Sequence, residues 1–216
     1  MTEEQRTDDW FAARCGKATA SAIYKIVAKT KTGWGADRSN YEAQLIVERL
    51  TGKPMETYSN AAMQWGVENE PRARAVYELE SGNDVQEVGF IPHESIAETG
   101  ASPDGLIGDK GCLEIKCPNS ATHIEFLLDP TIDKKYMCQM QWQMACSGRQ
   151  WCDFVSFDPR FPADLQLKIV RVARNEEMIQ ELEREVVIFL AGVREKIIAL
   201  VGHEDVEQVP NPLDAG

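Results

Sequence analysis

Two carboxylates, Asp104 and Glu114, and one lysine, Lys116, stand out in the short stretch Ser102–Pro118 of this sequence. Asp104 and Glu114 stand ten positions apart with a glycine-rich turn between them, and Lys116 follows Glu114 by two. In an extended strand the side chains at i and i+2 point to the same face, so Glu114 and Lys116 project together. A hairpin turn at Gly108–Gly111 returns Asp104 to their side. We therefore expect the three side chains to share one small volume.

This set of side chains has the chemistry of a hydrolytic metal site. Carboxylate oxygens are the ligands that Mg²⁺ and other hard divalent cations prefer. A lysine beside such a metal is repelled by its charge, which favours the neutral, proton-accepting amine. The alternation of Leu113 and Ile115 with the charged residues predicts a strand with one buried face. The charged face is then either a metal site or an exposed sheet surface, and the pattern alone leaves both interpretations open.

The elements that would position this site are helices around a central mixed sheet, which predicts an α/β or α+β fold. Short β-prone segments alternate with turns over residues 85–116. A second hairpin is predicted from the strand-like segments 151–157 and 165–172. Helices are predicted from periodicity and capping residues at 8–14, 22–27, 41–50, 61–79, 131–147 and 175–201.

The predicted helix 61–79 contains Pro71, which removes one backbone hydrogen bond and is expected to kink the helix. Glu70 lies just before that kink; a glutamate on a helix is usually solvated, and its sequence context alone gives it no partner. The residues expected to face the core are Met63, Val67, Val76 and Leu79.

Two features near the N-terminus each allow two interpretations. Thr19-Ala20-Ser21 opens a helix, where small hydroxyl residues serve as N-caps or help to bind an anion. The segment Thr30–Ser39 is predicted to be a loop, either a solvated connection or a flap that contacts a polyanion.

The net charge of −12 argues against nucleic acid, but its distribution matters more. From Asn175 onward ten acidic residues face three basic ones, whereas five basic residues between Lys17 and Arg38 face one aspartate. The acidity is concentrated at the C-terminal end, so a DNA-facing surface remains compatible with the composition.

The remaining composition predicts a globular, cytoplasmic protein with a single domain over 1–202 and a loose acidic tail over 203–216. No apolar run of about 18 residues predicts a membrane span, and the acidic segment Met1–Asp9 lacks the character of a signal peptide. The six cysteines form no Cys-x-x-Cys pair, which favours reduced thiols over a zinc site.

The motifs taken together resemble one family. They are Trp10-x-x-x-Arg14-x-Gly16-x-x-Thr19-Ala20-Ser21, Trp65-Gly66-x-x-x-Glu70, Ser102-Pro103-Asp104-Gly105, Leu113-Glu114-Ile115-Lys116-Cys117-Pro118, Tyr136-Met137-x-Gln139-x-Gln141 and Asp158-Pro159-Arg160. In this order they resemble the phage lambda-type exonucleases, the YqaJ-like viral recombinases of the PD-(D/E)-x-K nuclease superfamily. The resemblance implies a restriction-endonuclease-like core.

The resemblance also implies a role for each matching residue. Asp104, Glu114 and the backbone carbonyl of Ile115 would bind Mg²⁺ or Mn²⁺, and Glu70 would complete the site for a second ion. Lys116 would orient or deprotonate the attacking water, supported by Gln139. The residues implied to bind the 5′-terminal phosphate are Arg14, Ser21 and Ser102, with Lys116 nearby, and Met63 is the implied wedge between the DNA strands. Pro71 departs from the lambda enzyme.

The implied activity is 5′→3′ digestion of one strand of linear double-stranded DNA, which leaves a 3′ single strand. The resemblance further implies a phage or prophage origin, a ring-shaped homotrimer and a single-strand annealing protein as partner. The alternatives are a related endonuclease, a helicase-associated or iron–sulfur exonuclease, and a non-catalytic module that binds DNA ends. An iron–sulfur cluster needs four cysteines near the site, and no cysteine follows Cys152, which disfavours it.

Overall fold

The computed structural model describes residues 5–31, 33–55 and 60–202. Within them the helices are α1 (Asp8–Arg14), α2 (Ile23–Val27), α3 (Ala36–Thr51), α4 (Ala61–Ser81), α5 (Ser120–Leu128), α6 (Lys134–Ser147) and α7 (Glu176–Val201). The strands are β1 (Ala18–Thr19), β2 (Lys29–Thr30), β3 (Gly33–Trp34), β4 (Val85–Gln86), β5 (Ile91–Pro92), β6 (Thr99–Ala101), β7 (Gly105–Ile107), β8 (Gly111–Lys116), β9 (Trp151–Phe157) and β10 (Leu167–Ala173).

The central sheet has five strands in the order β10-β9-β8-β7-β4. Strands β8 and β9 run parallel and the other neighbours are antiparallel, so the sheet is mixed, as the sequence predicts. The predicted hairpin joins β7 to β8, and its turn uses Gly108 at φ 49°, a left-handed conformation that glycine adopts without strain. A smaller sheet, β1-β6-β5, lies beside it.

Both faces of β8 are covered, because alternate side chains pack on different helices. Leu113 and Ile115 join the cluster that contains Tyr77 of α4. Cys112 packs on the other face with Met140 of α6. The interpretation of the charged face as an exposed sheet surface is therefore wrong.

Helix α4 runs without interruption through Pro71, and its core-facing residues differ from those expected. Met63, Val67 and Leu79 are 53%, 44% and 85% exposed, whereas Ala73 and Tyr77 are fully buried. For Met63 and Val67 the prediction failed because the first half of α4 borders an open cleft. Leu79 lies in the second half, two residues beyond the buried Tyr77 and therefore on the opposite face of the helix. Val76 does pack partly against the core.

Several other elements differ from the sequence prediction. The predicted loop at 30–39 contains a short β2–β3 hairpin, and α3 begins at Ala36 rather than after Asn40. Helix α5 was not predicted, and α6 begins at Lys134. Helix α7 begins after the Asn175 cap, whose side chain accepts from the Met178 N–H, as expected.

The described residues contain no helix that is long and apolar enough to cross a membrane. All six cysteines are free thiols. The predicted acidic tail, 203–216, lies outside the described residues.

Candidate active site

The β7–β8 hairpin brings Asp104 and the end of β8 together at one edge of the central sheet. The Asp104 N–H donates to the Leu113 carbonyl at 3.0 Å, and the Ile115 N–H donates to Oδ2 of Asp104 at 2.6 Å. The N–H and C=O of a strand residue point to the same side of the strand. The Ile115 carbonyl therefore opens at the edge where Asp104 lies.

Glu114 is fully buried, and both of its carboxylate oxygens are hydrogen-bonded. Gln139 donates to Oε1 at 2.8 Å and Gln143 donates to Oε2 at 2.6 Å. Lys116 forms an ion pair with Oε1, which confirms that the two side chains share a face. Gln143 was not among the predicted site residues, although its i+4 spacing from Gln139 places both residues on one face of α6.

Negative charge accumulates around Asp104. Burial raises the pKa of Asp104 well above its usual range, and the nearby carboxylates of Glu114 and Glu70 raise it further. Burial likewise raises the pKa of the Cys117 thiol to about 12, with Glu70 and Asp104 adding to the effect. Besides burial, the charges of neighbouring carboxylates contribute to both shifts, and a divalent cation bound among them would offset that repulsion.

Lys116 is charged in this arrangement. Burial lowers the pKa of its amine, but Glu114 and Asp104 outweigh burial and bring the pKa above its ordinary value. Its Nζ lies 5.0 Å from the ring centre of Tyr136, which borders the same cleft.

Glu70 is buried on α4 and borders the same cleft. Arg74 donates to Oε1 at 3.1 Å, and Arg6 forms an ion pair with Oε2. Both oxygens of Glu70 are thus held by arginines, and the sequence analysis found neither contact. Arg6 has a positive φ of 68°.

The donor set suits a hard cation: the cleft is bordered by Asp104, Glu114, Glu70 and the residue Ile115, whose carbonyl opens toward Asp104. Among the described side chains, however, no three His, Cys, Asp or Glu residues already stand close enough to hold one ion. Lys116 and Arg6 provide the positive charge beside Glu114 and Glu70 in this arrangement.

Two of the three predicted phosphate-binding residues lie together. Arg14 Nη1 donates to the Ser102 hydroxyl at 3.1 Å, and the Trp10 indole N–H donates to the same hydroxyl at 3.0 Å. The Arg14 guanidinium stacks 4.2 Å from the Trp10 ring centre. Ser21 is exposed, its hydroxyl lies 3.4 Å from that of Thr19, and within the described chain it makes no hydrogen bond to Arg14 or Ser102.

The carboxylates open into a cleft of about 950 Å³ between α4, the end of β8 and α6. Met63 lies exposed on its wall. Trp65, Lys135 and Arg160 also line the cleft. Trp65 and Arg160 belong to motifs that the sequence analysis quoted without assigning them a role.

Comparison with protein families matches residues 9–150 to the YqaJ-like viral recombinase domain. The chain belongs to the YqaJ-like viral recombinase family. This confirms the family resemblance inferred from the motifs. Comparison with curated proteins gives no match.

Solved structures agree with the family. An alkaline exonuclease from Laribacter hongkongensis, LHK-Exo, is 52% identical, with a TM-score of 0.84 over 90% of this chain and 96% of that one. LHK-Exo in complex with dAMP matches at the same identity and coverage with a TM-score of 0.85. A phage-related exonuclease from Haemophilus somnus, 16% identical over 86% of this chain and 95% of that one, has a TM-score of 0.66 and shows the shared fold.

Proposed function

We propose that this chain is a Mg²⁺- or Mn²⁺-dependent 5′→3′ exonuclease that degrades one strand of linear double-stranded DNA and leaves a 3′ single strand. Its recombinase family and its 52% identity to an alkaline exonuclease make it a nuclease of DNA recombination. The observation that carries the finer proposal is the joining of Asp104, Glu114 and Lys116 at one cleft edge, beside the Arg14–Ser102 pair.

The metal assignment follows the oxygen donors of the cleft. Asp104, Glu114 and the Ile115 carbonyl would hold one ion, and Glu70 would complete the site for a second. Bound metal supplies Lewis-acid stabilisation of the phosphate and acidifies water at neutral pH. The hydrogen bonds from the Ile115 N–H and from Gln139 keep the carboxylates oriented before any ion arrives.

Lys116 is the proposed base for the attacking water. Glu114 and Asp104 raise the pKa of its amine. A metal ion bound to these carboxylates would neutralise their charge and so favour the neutral amine. A neutral amine at this position accepts the proton that the attacking water loses. Gln139 fixes the carboxylate that pairs with Lys116 and so helps to position the base.

The direction of digestion is assigned to Arg14 and Ser102. A guanidinium fork with a neighbouring hydroxyl suits a terminal phosphate, which carries more negative charge than an internal one. Ser21 extends this site if substrate binding turns its hydroxyl toward the phosphate. Met63, exposed on the cleft wall, is the proposed wedge between the strands.

The family supports two further parts of the proposal: a ring-shaped homotrimer, and a single-strand annealing protein that takes up the 3′ strand. Light scattering on the purified protein is expected to give three times the 24.2 kDa chain mass. A monomer mass at working concentration would count against the ring.

One assay tests the activity. Linear and circular duplexes are incubated with and without Mg²⁺, and the linear duplex is supplied with and without a 5′ phosphate. We expect loss of the linear DNA only, in Mg²⁺ only, and faster with the phosphate. Cutting of the circle would indicate an endonuclease, and metal-independent binding without turnover would indicate a DNA-end-binding module.

A further inference from the structure

Arg160 lies in the catalytic cleft as a fixed cation. Its Nε and Nη2 groups donate to the two oxygens of Asp158 at 2.7 and 2.8 Å. Asp158 is fully buried and also accepts from the Ser120 hydroxyl, so its own position is set by the core. The guanidinium carbon lies 4.5 Å from the ring centre of Trp65, which holds the plane of the fork.

This guanidinium keeps donors for a ligand. The Arg160 side chain is 49% exposed although its partner is buried. Within the described part of the chain its Nη1 group has no acceptor, and the residue borders the cleft that contains the carboxylates. A planar, pre-oriented guanidinium at the edge of such a cleft is suited to a phosphate oxygen.

The strand order places the segment with Ser102, the partner of Arg14, and the segment with Arg160 on opposite sides of the end of β8. Ser102, which binds Arg14, precedes β7; β8 ends at Lys116; and β9, in which Ser156 pairs with Lys116, leads directly to Arg160. Because neighbouring strands lie about 4.8 Å apart, the flanks of β7 and β9 are separated by roughly 10 Å. A DNA strand laid across this edge passes one arginine, then the carboxylates, then the other arginine.

We infer that Arg160 binds the backbone phosphate on the 3′ side of the scissile bond in the strand that is degraded. The inference rests on the proposed function, which puts the 5′-terminal phosphate at Arg14 and the scissile phosphate at the carboxylates. Asp158 and Trp65 act as positioning residues, because each contacts the guanidinium that would bind the phosphate. Arg14 and Arg160 would then bind the degraded strand on both sides of the scissile bond.

The chain contains a matched control for this arrangement. Arg171 makes the same two-pronged contact with Asp153, at 2.8 and 2.9 Å, and its guanidinium stacks 3.6 Å from the Trp151 ring centre. Its side chain is 54% exposed and its aspartate is buried, but it does not line the catalytic cleft. Arg160→Gln and Arg171→Gln therefore remove the same kind of ion pair from two different places.

The experiment uses linear duplexes in which one phosphate of the degraded strand is replaced by an uncharged methylphosphonate. The replaced phosphate is either the one 3′ of the first scissile bond or one far inside the duplex. Single-turnover release of the first nucleotide is measured for each substrate. The result for each protein is the ratio of its rate on the distal-methylphosphonate duplex to its rate on the duplex modified 3′ of the first scissile bond. Since each protein is compared with itself, a loss of stability does not enter the ratio.

For the unmodified protein and Arg171→Gln we expect the neutral linkage to slow release by about tenfold, the value of one charge-assisted hydrogen bond. Arg160→Gln is expected to be slow on both substrates, with a ratio near one. If that variant does not fold, Arg160→Lys replaces it, with an intermediate ratio expected. A ratio equal to that of the unmodified protein in either variant overturns the inference.

The outcomes also separate the inference from the proposed function. An unmodified protein that digests linear DNA but is indifferent to the neutral linkage defeats the role of Arg160 alone. An unmodified protein that releases no nucleotide with Mg²⁺ or Mn²⁺ defeats both.

Discussion

Gln143 donates a hydrogen bond of 2.6 Å to Oε2 of Glu114, one helical turn beyond the 2.8 Å bond from Gln139 to Oε1. The two glutamines are four residues apart on α6 and so share one face. Gln141, between them, points elsewhere and accepts from the N–H of Asn175 at 2.8 Å. One helix thus orients a buried carboxylate with one face and the start of α7 with another.

Replacement of Gln143 by alanine is expected to weaken metal binding without removing a metal ligand. Loss of an orienting partner typically costs about tenfold or more in metal affinity, so half-maximal digestion should require about tenfold more Mg²⁺. The measurement is the rate on linear duplex against Mg²⁺ concentration. Gln141→Ala is the control and is expected to lower stability but leave the Mg²⁺ dependence in place. An unshifted Mg²⁺ curve for Gln143→Ala would contradict the prediction.

Asp104→Asn and Lys116→Ala are each expected to reduce the rate of digestion by at least about 10²-fold. This is the usual contribution of a group that transfers a proton or stabilises the charge of the transition state. The readout is nucleotide release from linear duplex in Mg²⁺. Asp109→Asn, an exposed carboxylate in the turn of the same hairpin, is the control and should keep full activity. Full digestion by either cleft variant would refute the active-site assignment.

Arg14→Ala is expected to erase the preference for a 5′-phosphorylated end, since it removes the guanidinium that pairs with Ser102. In the unmodified protein, removal of the 5′ phosphate should slow digestion; in the variant, both ends should be digested equally slowly. Initial rates on the two substrates give the answer. Equal rates on the two substrates in the unmodified protein would show that Arg14 and Ser102 do not recognise the 5′ phosphate.

The pH dependence of stability is expected to depend on His93. Burial lowers the pKa of this imidazole, Arg174 lowers it further, and the opposing carboxylates of Glu183 and Glu94 do not restore it. His93 therefore binds a proton less readily in the folded protein than in the unfolded chain, where the pKa of the imidazole is about 6.5. The free energy of unfolding should fall as the pH drops from 7.5 toward 5.

His93→Gln removes this titration and should flatten that part of the pH profile. Urea unfolding of both proteins at pH 7.5, 6 and 5 measures the difference, in which the contributions of titratable groups that do not contact His93 cancel. The same slope in both proteins would exclude His93 as the source.

Gly100 in β6 is expected to tolerate no side chain. A methyl group there would lie 2.4 Å from the Phe90 ring and 2.5 Å from the Ile91 carbonyl oxygen, and that backbone atom cannot move away cheaply. Gly100→Ala should lower the free energy of unfolding by about 1–3 kcal/mol. Gly66→Ala, in α4 with nothing within 4 Å, should raise it by up to about 1 kcal/mol. Urea unfolding of the two variants compares them, and equal stabilities would contradict the prediction.

Local spacing along the chain was sufficient to predict the central part of this site. Asp104, Glu114 and Lys116 lie within one hairpin, so the spacing of two in a strand and a glycine turn were sufficient to bring them together. The same is true of α7, whose start follows from the Asn175 cap. Interactions within a dozen residues leave few alternatives, because the backbone geometry of a strand, turn or cap sets which side chains meet.

The surroundings of that hairpin depend on long-range packing, which the spacing of residues does not predict. Met63 and Val67 have the spacing of a buried helix face, yet they border a cleft, because periodicity shows which residues share a face but not what that face meets. Arg6 reaches Glu70 across 64 positions, and Gln143 reaches Glu114 across 29. Such pairs exist because packing of the sheet against α4 and α6 brings distant segments together, and no local spacing encodes that packing.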